Sequence, residues 1–211
     1  NLYSLWDFKF SKNEIIAGII DCMGKKHKEN IGLIAGEPYI NGGVILFDLN
    51  KMRKQKIEQI FIHYLKKHAG HKIPFTDQGV INAVLKGKIK VMPLRFNVVT
   101  LIYAASYIDM VDMKRADAYY NKSEWVAAKA DPAIVHFTTC FLMKRPWVEN
   151  SDHPMANIWK SYCSKTPWKE YLIRDNQSRI MRTYAYVYRM LPHRLAANIT
   201  GFVHGTVKAL T

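Results

Sequence analysis

The chain is poor in cysteine, in acidic residues and in long apolar runs, and each shortage excludes something. Its three cysteines, Cys22, Cys140 and Cys163, lie far apart and form no C-x-x-C pair. That argues against a disulfide framework or a zinc ribbon and points to a reducing cytosol. In that compartment the sequons at Asn121, Asn176 and Asn198 read as chance matches. The longest apolar stretch, Val98 to Ile108, is too short for a bilayer, which needs roughly 20 residues. No signal peptide is visible, because the chain opens Asn1-Leu2-Tyr3 without a basic n-region or an initiator Met. Only 17 Asp and Glu face 31 Lys and Arg, a net charge of +14. Such a balance favours anionic partners: nucleotide diphosphates, acidic lipid headgroups or nucleic acid.

What remains is an ordinary folded composition, with 49% apolar and 23% charged residues over 211 positions. This suits one domain, or one domain with a short appendage. Ile15 to Ile20 reads as a buried strand ending at Asp21, and Gly24 to Asn30 as an exposed basic loop. Asn41-Gly42-Gly43 reads as a turn running into a strand from Val44 to Leu49. The spacing of Ile57, Ile60, Phe61, Tyr64 and Leu65 predicts one helix from Asn50 to His68, capped by Asp48 or Asn50. A second helix is predicted from Thr76 to Leu85, and further strands over Lys90 to Leu94 and Ala133 to Thr138. His63, His68 and His71 do not share a helical face and read as surface residues. From Asn176 onward there is no Asp or Glu, and Arg179, Arg182, Arg189, Arg194 and Lys208 interleave with apolar residues around Pro192. That pattern predicts an amphipathic, basic helix pair.

Strands alternating with helices indicate an α/β layered domain, in which ligands gather beyond the carboxyl ends of the strands. Three polar clusters fall at such junctions. Asn41-Gly42-Gly43 combines an amide with two residues that let backbone approach a ligand, although a plain turn explains it equally. Asp77 and Gln78 open a helix with Asn82 one turn beyond Gln78, which suits sugar hydroxyls but also simple capping. His136 ends an apolar strand, where a lone histidine is more often structural than a metal ligand. Lys144 and Arg145 follow as two cations able to meet a diphosphate, or to form a solvated loop.

Taken in order, four segments resemble glycosyltransferase family 8, the retaining GT-A enzymes that include bacterial lipopolysaccharide and capsule hexosyltransferases. They are Tyr39-Ile-Asn-Gly-Gly-Val-Ile-Leu-Phe-Asp-Leu-Asn-Lys-Met-Arg53, Asp77-Gln-Gly-Val-Ile-Asn82, Pro93-Leu-Arg-Phe-Asn97 and His136-Phe-Thr-Thr-Cys-Phe-Leu-Met-Lys-Arg-Pro-Trp147. His153-Pro154, Trp159, Tyr162 and Thr166-Pro167-Trp168 look like the continuation seen in capsule-type members, so the resemblance runs from residue 1 to about residue 170. The resemblance implies a GT-A-like mixed sheet flanked by helices over 1–170, with the basic helical tail over 171–211. It implies that His136 joins Mn2+ or Mg2+ on the diphosphate of a UDP-sugar, with Lys144 or Arg145 as a second positive contact. Asn41, Gly42, Gly43 and Asn82 would lie at the donor. Asp77 would hold sugar hydroxyls, and Gln78 would sit beneath the anomeric carbon.

Two departures stand out. The family's lysine lies about three residues closer to the histidine than Lys144 does. The Asp-x-Asp that supplies further metal ligands is absent, and the resemblance implies that the chain begins a few residues after it. The expected function is transfer of a hexose, galactose or glucose, to a glycan or glycolipid acceptor. The basic tail would rest on an anionic membrane at the cytoplasmic face. An inactive truncated transferase is the first alternative. A basic nucleic-acid-binding module is the second, and no helix-turn-helix, RNP-like or zinc signature supports it.

Overall fold

The computed structural model describes residues 2–70, 76–170 and 173–204. After a short exposed helix, α1 (Tyr3–Trp6), the chain enters β1 (Ile16–Ile20), whose first four residues are all buried. A helical turn, α2 (Lys25–Glu29), leads to β2 (Ile40–Phe47), which returns antiparallel to β1. Helices α3 (Leu49–Lys54), α4 (Ile57–Lys67) and α5 (Thr76–Val84) precede β3 (Ile89–Val91), which runs parallel to β1. The sheet order is therefore β2-β1-β3, a mixed sheet. A 3-10 turn at Leu94–Phe96 feeds β4 (Val98–Val99), and α6 (Thr100–Ala104), α7 (Tyr107–Lys114) and α8 (Lys122–Ala130) follow. Strand β5 (Val135–His136) then pairs parallel to β4, setting His136 opposite Val99. The chain closes with α9 (Ala156–Cys163), α10 (Arg179–Met190) and α11 (His193–Phe202).

One core lies between the sheet and the helices that follow it, with Ala17, Ile19, Met92, Val98, Ile102 and Met110 at its centre. A second, built from Ile15, Ile16, Ile40, Ile57 and Leu85, lies under α4 and α5. Of the face that the spacing predicts, Ile57 is buried and Phe61 and Tyr64 are half-buried, but Ile60 (43%) and Leu65 (49%) are exposed, and the single helix from Asn50 to His68 is two. Lys56 takes a left-handed backbone (φ 51°), and Asp48 caps the first piece by accepting from the Lys51 N–H at 3.0 Å. The bend lets Ile57 reach full burial in the second core.

The stretch from Gly24 to Asn30 is not an exposed loop. Lys28 is only 2% exposed and holds Asp117 at 2.8 Å, and Asp117 also accepts the Gly36 N–H at 3.0 Å. Burial raises the Asp117 pKa, while the Lys28 ammonium and the Gly36 N–H pull it down further, to a net value below the usual carboxylate range.

The tail forms the predicted helix pair, broken at Pro192, with Ser178 capping α10. Tyr188, Ala196 and Ala197 share a core with Met113 and Leu142, and the Tyr184 hydroxyl donates to Thr200 Oγ1 at 2.7 Å. Gly201 lies against the Asp112 carbonyl so closely that a methyl there would overlap it. His71 and Lys208 lie outside the described residues.

Candidate active site

The polar clusters meet at one end of the sheet. Asp21 follows the last residue of β1, and its Oδ2 accepts from Asn41 Nδ2 at 3.2 Å and from Gln78 Nε2 at 3.0 Å. Asn41, Gly42 and Gly43 belong to β2 itself, rather than to a turn before it. Gln78 comes from the first turn of α5, and its Oε1 accepts the Gly42 N–H at 2.8 Å. Asn41 Oδ1 accepts from the Gly43 N–H at 2.9 Å and from Asn97 Nδ2 at 2.8 Å. Asn97, 1% exposed, presents its Oδ1 to His136 Nδ1 at 3.0 Å. Five side chains from five segments thus form one connected array, from Gln78 through Asp21, Asn41 and Asn97 to His136.

The array borders a cavity of about 240 Å3, whose wall includes Asp21, Asn41, Asn97, Thr138, Thr139 and Cys140. Half-burial of His136 lowers its pKa from the ordinary imidazole value, against a smaller upward pull from the Asp21 carboxylate. At neutral pH the ring is therefore uncharged and able to offer a lone pair. A Cβ on Gly43 would overlap Cε1 and Nδ1 of His136, so the bare strand at Gly43 forms the seat of that ring.

Other residues singled out in the sequence fall elsewhere. Asn82 is fully buried and spends its amide on backbone: it accepts the Ile40 N–H at 2.7 Å and donates to the Ile40 and Gln78 carbonyls, both at 2.8 Å. It clamps β2 to α5 and offers a ligand nothing. Asp77 is exposed beside Gln78 at the start of α5, where its Oδ1 accepts from the Thr76 hydroxyl at 3.0 Å. Lys144 pairs with Asp175 at 3.1 Å, at a separate cavity lined also by Arg182 and Arg189. Arg145 lies over the Trp147 ring, 5.0 Å from its centroid. Asp175 and Trp147 hold these two cations, and no contact among the described residues joins them to the array.

Sequence reasoning passed over Asp21 and Asn97 as site residues. Asp21 carried a signal, an acid at the carboxyl end of a buried strand, where α/β sheets gather their ligands.

The profile described as "Glycosyl transferase family 8" matches residues 1–151, which include every residue of the array. The chain belongs to glycosyltransferase family 8. Among curated family relatives, General stress protein A of Bacillus subtilis (strain 168) is 25% identical over 169 residues, covering 80% of this chain and 55% of that protein. The lipopolysaccharide 1,2-glucosyltransferase of Escherichia coli (strain K12) is 25% identical over 162 residues, covering 76% and 44%. This chain therefore spans about half the length of the curated relatives it matches. Among solved structures, the galactosyltransferase LgtC in complex with donor and acceptor sugar analogs superposes with a TM-score of 0.59 at 21% identity, over 82% of this chain and 60% of that one. The bifunctional enzyme WbbM gives 0.62 at 17% identity, over 81% and 31%. These likenesses show the GT-A-like fold, a mixed sheet flanked by helices, as the resemblance implies.

Proposed function

We propose that this family 8 chain carries the sugar-binding side of a retaining transferase site, which moves a hexose, galactose or glucose, from a UDP-sugar to a cell-surface glycan or glycolipid. The observation that carries this reading is the array from Gln78 to His136 at the sheet end. Hydroxyl-rich ligands are recognised by oriented amides and carboxylates, and here each amide has its direction fixed by a neighbour. Asn41 would meet the donor sugar, with Gly42 and Gly43 allowing close approach, and Asp77 would hold hydroxyls from the exposed start of α5. Asn82 would act only by holding β2 against Gln78.

Gln78 is better suited to stabilising charge than to attack. An amide oxygen is a weak nucleophile, and this one already accepts a hydrogen bond from the Gly42 N–H. The Asp21 carboxylate, joined to Gln78 Nε2, adds negative potential where an oxocarbenium-like centre would form. The acceptor would then attack on the face that the diphosphate leaves. In an active protein, Gln78→Ala is expected to lower turnover about 100-fold while changing UDP-sugar affinity far less. Unchanged turnover would remove Gln78 from the mechanism.

His136 fits one position on a divalent cation, Mn2+ or Mg2+: it is neutral, and its second nitrogen is engaged by Asn97. Such a cation supplies neutralisation of charge on the departing diphosphate. No group of three His, Cys, Asp or Glu that could hold a metal occurs among the described residues. His136 is the ligand that the resemblance names, and the Asp21 carboxylate is near enough to pull its pKa upward.

The reading extends to a lipid surface at the cytoplasmic face. No helix among the described residues is long and apolar enough to cross a membrane. The tail nonetheless exposes Ile180 (83%), Met190 (68%) and Tyr186 (62%) on a helix that carries Arg179 and Arg182. Each cation near an anionic leaflet is worth about 1 kcal/mol. The double variant I180E/M190E is expected to lose co-sedimentation with anionic vesicles by at least about tenfold. Binding equal to wild type would end the membrane claim.

A further inference from the structure

We propose that Asn97 is a positioning residue that sets the tautomer of His136, through a hydrogen-bond chain whose direction is fixed by groups that cannot reverse. The two ends of an Asn or Gln amide are alike in shape, so their roles follow from their neighbours. A backbone N–H can only donate. The Asn41 atom facing the Gly43 N–H at 2.9 Å is therefore its oxygen. The other end of that amide is then its nitrogen, and it meets a carboxylate oxygen of Asp21 at 3.2 Å, an acceptor. The same Asn41 oxygen lies 2.8 Å from Asn97, and only the Asn97 nitrogen can donate to it.

Asn97 must consequently turn its oxygen to His136 Nδ1 at 3.0 Å, and Nδ1 must carry the hydrogen. The neutral ring is the Nδ1–H tautomer, with the bare lone pair on Nε2. Histidine in water prefers the opposite form, so Asn97 works against the intrinsic preference of the ring.

A second arm reaches the same carboxylate independently. The Gly42 N–H fixes the Gln78 oxygen at 2.8 Å, which sends the Gln78 nitrogen to Asp21 Oδ2 at 3.0 Å. Asp21 Oδ2 thus terminates both arms, and the same acceptor orients Gln78 and, two amides away, His136. Asn97 is 1% exposed, so solvent does not compete for its amide. The arrangement leaves Nε2 as the ring atom able to take a metal ion or to accept a hydrogen bond. The inference rests on the transferase reading only for its use, since the tautomer itself follows from the hydrogen bonds.

Side-chain nitrogen NMR of the metal-free chain at pH about 7.5 tests it, where a histidine with a lowered pKa is neutral. His136→Gln identifies the signals by their loss. The expected result is hydrogen on Nδ1 in wild type. Asn97→Leu is expected to shift the ratio about tenfold toward Nε2–H, the weight of roughly one hydrogen bond. Hydrogen on Nε2 in wild type overturns the proposal. So does an unshifted ratio in an Asn97→Leu chain that unfolds at the wild-type temperature. Absence of sugar transfer would sink the proposed function and leave this measurement standing, so the two readings fail separately.

Discussion

Replacing Gly43 by alanine is expected to lower sugar transfer by an active protein about 100-fold, the scale on which a 1 Å misplacement of a reacting group acts. The added methyl would overlap Cε1 and Nδ1 of His136, and it would lie 3.0 Å from Asn41 Oδ1. Gly43 lies in the irregular stretch of β2 between the paired residues Ile40 and Ile45, where Asn41 Oδ1 accepts its N–H at 2.9 Å. The overlap is relieved by moving the imidazole off Asn97 or the Gly43 N–H off Asn41, and either motion breaks the array. The stability cost should stay in the range of core overpacking, about 1–3 kcal/mol, so the variant should fold. Gly42→Ala is the internal control. A methyl there would sit 3.3 Å from Gln78 Cβ and 3.5 Å from Gln78 Oε1, tight but short of overlap. Its loss should stay within about tenfold, the equivalent of roughly 1.4 kcal/mol. Initial-rate assays on both variants check the contrast, and full activity in Gly43→Ala would show that the seat of His136 does not matter.

Asp117→Ala is expected to destabilise the fold by about 3 kcal/mol or more, because it strands a buried ammonium. Lys28 is 2% exposed, and its ammonium donates to both oxygens of Asp117, at 2.8 and 3.1 Å. The Gly36 N–H would lose its acceptor as well. For a chain of this length the melting midpoint should fall by about 6–12 °C. A Lys28→Met/Asp117→Leu pair should recover much of that loss, since well-packed apolar residues can replace a buried ion pair. The pH dependence has a definite sign. The folded pKa of Asp117 is depressed, so its contribution is complete above the unfolded value of about 3.9 and is lost as pH falls through the folded value. Wild type should therefore lose more stability than Asp117→Ala between neutral and strongly acid pH. Calorimetry across that range decides the matter, and parallel profiles would remove Asp117 from the acid response.

Periodic burial was legible in the sequence, and long-range polar pairing was not. The helix ending at Lys67, the helix from Thr76 and the tail pair divided by Pro192 all follow from local spacing, though Ile60 and Leu65 of the predicted inner face are exposed. The break at Lys56 does not, because a left-handed lysine is imposed by the burial of Ile57 rather than by any turn residue. Asn41-Gly42-Gly43 has the composition of a turn yet lies in a strand, since its glycines make room for a ring that arrives from β5. Asn97 closes one of the matching segments, but its role was not legible there, because its partners Asn41 and His136 lie 56 and 39 residues away. Lys28 sits in a run that reads as solvated, and only Asp117, 89 residues on, draws it inside. Lys144 likewise has a partner that its neighbours in the chain do not announce. Its spacing from His136 suggested a phosphate contact, and Asp175 holds it elsewhere.

The small residues along α11 fix more than a helix crossing. With Gly201 pressed on the Asp112 carbonyl and with Ala196 and Ala197 buried below, the tail packs directly on the body that carries the cleft. A molecule adsorbed through the outer face of α10 would therefore hold its cleft at one altitude above the headgroups.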